Sequence, residues 1–135
     1  PELLLKSDKL EKLSSPREIV FGHNDLLAAN FLDDGSKIWV IDWEYGGFND
    51  PLFDIGGLAS NNDFSLDTEN LALEMYFNKK PSTELMIRYN AMKTASLLRE
   101  TMWSMVSEIT SKLDFDYGVY TSENLSKFSS SFDKL

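Results

Sequence analysis

The chain has 135 residues, which suits one domain. Its 22 acidic against 13 basic side chains give a formal charge of −9, which argues against a nucleic-acid partner, since those are held by basic patches. There is no cysteine, so disulfides, thiolate catalysis and Cys-ligated metals are excluded together, and no apolar run approaches the ~20 residues of a membrane span. These features predict a cytoplasmic protein.

Residues 1–13 place Leu3, Leu4, Leu10 and Leu13 at helical spacing, and Ser14-Ser15-Pro16 ends that helix. Ile19-Val20-Phe21 reads as a short buried strand or an extended entry into the segment that follows. Asp34-Gly35, between the apolar runs 28–32 and 38–41, is a hairpin signal. A two-residue turn there would set Asp33 opposite Ser36 and Leu27 opposite Asp42. Asp50 is placed to cap a helix with Pro51 in its first turn, sending Leu52, Phe53, Ile55 and Leu58 to the core until 61–63 closes it.

Asp67 is expected to cap the next helix, which runs to about 77 with Leu71, Leu73 and Met75 inside. A turn at 78–81 precedes a long helix over 82–111, whose inner side should carry Leu85, Met92, Ala95, Met102, Val106 and Ile109. A last helix is expected over 122–132. Trp39 is assigned to the core. The fold class is α+β and mainly α, with one β-hairpin.

The chemistry concentrates between Phe21 and Asp54. Asp25 and Asn30 stand in a D-x-x-x-x-N arrangement, the spacing of the protein-kinase catalytic loop, and Asp42 ends the following apolar run. In that plan the first Asp accepts the proton of the attacking hydroxyl, while the Asn and the second Asp hold magnesium. A base and two hard oxygen ligands are close to sufficient for phosphoryl transfer, which is mostly positioning and charge neutralisation. Taken alone, such a spacing arises by chance, and acids after strands commonly serve only as solvated loop. The order and spacing of the whole string favour a phosphotransferase.

The string His23-Asn24-Asp25 through Asn30, then Asp42-Trp43-Glu44-Tyr45-Gly46-Gly47 and Asn49-Asp50-Pro51-Leu52-Phe53-Asp54, resembles the choline/ethanolamine kinases. These belong to the aminoglycoside-phosphotransferase-like group with a protein-kinase-like fold. A second match, from Trp103 to Val106 and from Leu113 to Tyr120, resembles the segment carrying that family's aromatic choline pocket. The resemblance implies Asp25 as catalytic base, Asn30 and Asp42 as Mg2+ ligands, and His23 as a brace for the catalytic loop. Asp54 would accept hydrogen bonds from that loop. Tyr45, Trp103, Tyr117 and Tyr120 would line the site of the substrate's ammonium group, with Leu113 beside them. Apart from the resemblance, Glu44 is read as an acid near magnesium that adds negative charge to the substrate site, the alternative being a solvated side chain.

Two positions depart from the family pattern. Asn61 stands where a charge-neutralising Glu aligns, and Glu100 stands where an aromatic residue aligns one turn before Trp103. Both count as candidate substrate contacts, and Glu100 would restore the lost negative charge.

Neither a Gly-rich phosphate loop nor a strand Lys with a partner Glu occurs in the chain. The expectation is therefore the C-terminal lobe of a longer kinase, 1–135, whose partner is a missing N-terminal lobe that holds ATP, and which is inert alone. The acceptor would be a small cationic alcohol, choline first, with ethanolamine, thiamine, an aminoglycoside or a sugar as alternatives. A non-catalytic ligand-binding fragment is the reading from another class. A homo-oligomer is compatible with all of these.

Overall fold

Helix α4 (Thr83–Thr110) organises the molecule. Its 28 residues extend about 42 Å, and the other helices pack along it. The computed structural model describes residues 2–135. On one side α1 (Glu2–Leu13) and α5 (Tyr117–Phe132) meet α4 through Leu10, Ala91, Leu97, Leu98 and Phe128. On the other, α2 (Pro51–Asn61) and α3 (Leu66–Phe77) meet it through Leu52, Leu73, Leu85, Tyr89 and Met92. Among the described residues no helix is long and apolar enough to cross a membrane.

Between α1 and α2 lie two antiparallel two-stranded ribbons. Strands β2 (Phe31–Asp33) and β3 (Ile38–Val40) form the expected hairpin, with Phe31 opposite Val40 and Asp33 opposite Ile38. The turn spans four residues rather than two, so Asp33 does not face Ser36. The Asp34 carboxylate accepts from the backbone N–H groups of Ser36 (2.9 Å) and Lys37 (3.0 Å) and from the Trp39 indole (2.7 Å). That side-chain closure favours the longer loop. Trp39, expected inside, lies half exposed on the ribbon, held by Asp34 and by the Lys37 ammonium above its ring.

The second ribbon was not foreseen: β1 (Val20–Gly22) pairs with β4 (Gly47–Asn49) across the whole hairpin, Gly22 opposite Gly47. It joins the two ends of the motif region.

Helix α2 begins as expected, with the Asp50 carboxylate accepting from Leu52 N–H at 2.9 Å and Pro51 in the first turn. Asp50 is 1% exposed and also accepts from Glu18 N–H and Arg88, which compensates its burial. Helix α3 is capped by Ser65 rather than Asp67, two residues earlier. Of its expected inner residues only Leu73 is buried, whereas Leu71 and Met75 face solvent. Glu69 takes the second inner position, accepting from Lys93 Nζ with both oxygens at 3.0 and 2.8 Å.

The inner face of α4 also departs from the apolar stripe. Leu85 and Met92 are buried, but Met102, Val106 and Ile109 are exposed. The C-terminal half is instead buried through Thr101, Ser104 and Ser107. The first two return their hydroxyls to carbonyls one turn back, and Ser104 also receives Thr121 from α5 at 3.0 Å. Small side chains let α5 approach closely, and α5 starts at Tyr117, capped by Asp116, well before residue 122.

Close approach also governs α2. A Cβ on Gly56 would stand 2.7 Å from Lys93 Cα and 2.9 Å from Lys93 N, both on the backbone axis of α4. Neither helix can yield locally. Gly56→Ala is expected to cost about 3 kcal/mol by overpacking, lowering Tm by roughly 10 °C in thermal unfolding. An unchanged Tm would show that the α2–α4 contact is looser than described.

Candidate active site

The catalytic-loop candidate, residues 23–27, is held from three directions. Asp54, in the first turn of α2, accepts from the backbone N–H of His23 at 2.7 Å and of Asn24 at 2.6 Å. A Cβ on Gly22 would lie 2.7 Å from the same carboxylate, so any larger residue there would push Asp54 off the loop N–H groups it holds. Asn24 adopts the left-handed conformation (φ 64°), tolerated by Asn, which turns the chain out of β1. Its side-chain amide donates to Tyr45 O and Gly47 O, and its carbonyl oxygen accepts from Asn49 at 2.9 Å. Thus β4 and the loop are sewn together.

His23 is 2% exposed and braces the loop from below. Its Nδ1 lies 3.2 Å from the Asp25 backbone N–H, which can only donate. Nδ1 therefore accepts, and Nε2 carries the hydrogen donated to Ile41 O at 2.8 Å. The ring also packs against Trp43, tilted by 56° at 4.7 Å between centroids. His23 thereby joins the loop to the end of β3, next to Asp42.

Asn30 closes a short 3₁₀ turn, Ala28–Asn30, and is buried. Its amide N–H donates to Asp25 O at 3.1 Å, leaving the amide oxygen without a hydrogen bond among the described residues. Asp42 is exposed and sits in the left-handed region (φ 64°, ψ 58°), where the chain swings off β3 into a second 3₁₀ turn, Trp43–Tyr45. The N–H of its neighbour Ile41 donates to Asn30 O at 3.0 Å, so both ligand candidates stand at one end of the hairpin. Among the described residues no group of three His, Cys, Asp or Glu side chains could hold a metal by itself. One carboxylate and one amide oxygen suit a hard, largely hydrated ion that arrives with phosphates, as magnesium does, and do not suit zinc.

Asp25 opens onto a cavity of about 420 Å³ between the loop, the Trp43–Tyr45 turn, α4 and the start of α5. Its walls combine the aromatic faces of Tyr45, Trp103, Phe115, Tyr117 and Tyr120 with the carboxylates of Asp25, Glu44 and Glu100. Leu27 and Leu113 complete it, and Arg99 is its one basic side chain. Phe115 packs edge-on against Tyr117 (4.9 Å) and Tyr120 (5.7 Å), and Trp103 against Tyr117 (6.0 Å). Tyr120 donates to Glu100 Oε1 at 2.8 Å. Burial, followed by that contact with Glu100, pushes the Tyr120 phenol up to about 12. It therefore remains a donor throughout the neutral range.

The expected pocket residues Tyr45, Glu44, Trp103, Tyr117, Tyr120, Leu113 and Glu100 all line this one cavity with Asp25. Asn61 does not: it lies behind the loop, donating to Leu26 O at 3.4 Å, because α2 directs it toward the backbone of the catalytic segment. The sequence reading missed Phe115, Asn24 and Arg99. Arg99 had a legible signal, four residues before Trp103 and so on the same face of α4. A larger groove of about 650 Å³, between α2, α4 and α5, holds none of the motif residues. Its ion pairs, Lys93–Glu69 and Lys127–Asp63, are internally satisfied.

Comparison with known proteins agrees with the fold. Protein LicA of Haemophilus influenzae is 31% identical over 106 residues, covering 76% of this chain and 40% of LicA. The ethanolamine kinase of Drosophila melanogaster is 33% identical over 132 residues, covering 82% of this chain and 25% of that kinase. A choline/ethanolamine kinase family protein from Mesorhizobium loti superposes with a TM-score of 0.84 at 25% identity, over 96% of this chain and 44% of that one. The chain thus spans less than half the length of these relatives. The sequence model of the choline/ethanolamine kinase family matches residues 2–73, more than half of the chain and the whole of the loop, hairpin and α2 region described above. The chain belongs to the choline/ethanolamine kinase family.

Proposed function

We propose that this chain is the catalytic and acceptor-binding lobe of an ATP-dependent kinase that phosphorylates the hydroxyl of a small amino alcohol, choline first. The observation that carries this is the opening of Asp25 directly into a cavity walled by five aromatic rings and two further carboxylates. Aromatic faces and carboxylates together suit a quaternary ammonium. The acceptor hydroxyl gives its proton to the Asp25 carboxylate as its oxygen bonds to the γ-phosphorus of ATP, and the bond to the bridging oxygen of ADP breaks. Asn30 and Asp42 would hold magnesium, which neutralises charge on the phosphates when bound.

A second lobe, holding ATP, would cover the same end of the molecule. Ile19, Phe21, Leu32, Ile38 and Phe48, each half or more exposed on or beside the two ribbons, support that placement. Phe21 and Phe48 meet edge-on at 5.7 Å, and exposed apolar surface of this kind marks a docking face.

Ethanolamine is the second reading, favoured by Glu100. A primary ammonium seeks hydrogen-bond acceptors more than aromatic faces, and the Glu100 carboxylate supplies them. Comparing kcat/KM of the full-length enzyme on choline, ethanolamine and uncharged 3,3-dimethylbutanol decides between them. Choline should exceed the uncharged alcohol by more than tenfold, given about 2 kcal/mol for a desolvated cation over an aromatic face. Trp103→Ala should raise the choline KM roughly tenfold and leave the ATP KM within twofold. Equal rates on all three alcohols would remove the cation pocket.

A further inference from the structure

Arg99 is a cation inside a cavity otherwise suited to receive one. It projects from α4, one turn before Trp103, and its side chain is 27% exposed. Its Nη2 donates to Asp25 Oδ1 at 2.6 Å and to Asn24 O at 3.1 Å. Its Nη1 lies 3.4 Å from Glu100 Oε2, and the guanidinium carbon is 5.5 Å from the centre of the Tyr45 ring. Glu100 is fixed in turn by Tyr120. The guanidinium therefore touches the side chain of the base, the backbone of its loop and a wall of the acceptor pocket.

Two consequences follow from this geometry. A single Nη2–H bond to Oδ1, from a guanidinium also tied to Asn24 O and lying beside Glu100, pins one oxygen of the carboxylate in place, which a mobile ammonium does less well. With Oδ1 committed to Arg99, only Oδ2 of Asp25 accepts no hydrogen bond among the described residues. That is the oxygen left to receive a proton.

We propose that Arg99 is a positioning residue that locks the Asp25 carboxylate with Oδ2 presented to the acceptor hydroxyl, and that Glu100 and Tyr120 anchor Arg99 in that role. The inference rests on the assignment of Asp25 as the base. It does not depend on which alcohol is phosphorylated.

The test is a double-mutant cycle in the full-length enzyme, on whichever alcohol of a choline, ethanolamine and neutral-alcohol panel is turned over, or on basal ATP hydrolysis if none is. Arg99→Met should lower kcat roughly thirtyfold, the scale of one charge-assisted hydrogen bond, with the acceptor and ATP KM values within threefold. Arg99→Lys should recover part of that loss. In an Asp25→Asn background the same Arg99→Met change should cost less than threefold, because nothing remains to be positioned. If Arg99→Met fails to fold, Arg99→Lys carries the cycle, with a roughly fivefold loss expected only when Asp25 is present.

A thirtyfold loss in both backgrounds, or no loss in either, overturns the proposal. A rise in acceptor KM with kcat unchanged also overturns it, by making Arg99 a binding residue. A preference for a neutral alcohol would sink the amino-alcohol reading while leaving this cycle decisive. An enzyme that neither phosphorylates an alcohol nor hydrolyses ATP overturns both.

Discussion

Asp25→Asn in the full-length enzyme is expected to lower kcat by roughly 10³- to 10⁴-fold, the upper range for loss of a general base. Asparagine is nearly isosteric, and its carbonyl oxygen still accepts from Arg99 where Asp25 Oδ1 does at 2.6 Å. The loop keeps its other ties, from Asp54 to His23 and Asn24 and from Asn30 to Asp25 O, because these involve backbone atoms. What disappears is the proton acceptor. Nucleotide affinity should stay within about threefold, since no phosphate or metal contact is assigned to Asp25. Asp42→Ala should do the reverse, raising the magnesium requirement and weakening metal-nucleotide binding. Titrating magnesium against both variants checks the division of roles; equal losses of metal affinity would contradict it.

The legible part of this chain is the part where chemistry fixes spacing. Asp25, Asn30 and Asp42 were expected from the D-x-x-x-x-N spacing and the acid that ends the next apolar run, and the structure places Asn30 and Asp42 at one end of the hairpin. Asp54 was expected only from the family resemblance, and it does accept from the loop N–H groups of His23 and Asn24. Spacing alone favoured core packing for Trp103, Tyr117 and Tyr120; only the family resemblance put them in a pocket, and the structure brings them to one cavity with Asp25. Elements with strong local signals, such as the Asp50-Pro51 helix start, were likewise readable.

What escaped is non-local. The β1–β4 ribbon joins residues more than twenty positions apart through three-residue strands, too short for a hydrophobic period to register. The burial of Thr101, Ser104 and Ser107 in place of Met102, Val106 and Ile109 depends on how closely α5 approaches. Helical periodicity shows which residues share a face but not how near the next helix comes. Arg99 shares a face of α4 with Trp103, but an arginine on a helix is ordinarily solvated, and its contact with Asp25, 74 residues away in sequence, is what reveals its role.

Asp54→Ala should have the second-largest effect, on turnover and on stability together. Its carboxylate is the shared acceptor for His23 N–H and Asn24 N–H, at 2.7 and 2.6 Å. It stands in the first turn of α2, where the helix dipole favours a negative charge. Removing it leaves two loop N–H groups without their acceptor, each a charge-assisted bond of about 1.5–3 kcal/mol. Relaxation and entering water would reduce the sum, so a loss of about 3 kcal/mol in unfolding free energy is expected.

The loop that loses these ties is the one that carries Asp25. Its displacement should cost on the order of 10³-fold in kcat, the product of two such bonds, with a smaller change in acceptor KM. Asp54→Asn discriminates the two effects. Its amide oxygen can keep one of the N–H bonds, while its NH₂ cannot accept the other. It should therefore regain part of the stability and remain well below wild-type turnover. Denaturant unfolding and steady-state kinetics on the same preparations measure both. If Asp54→Ala kept full kcat at reduced stability, Asp54 would be a helix-start residue only, and the catalytic loop would owe its shape to His23, Asn24 and Arg99.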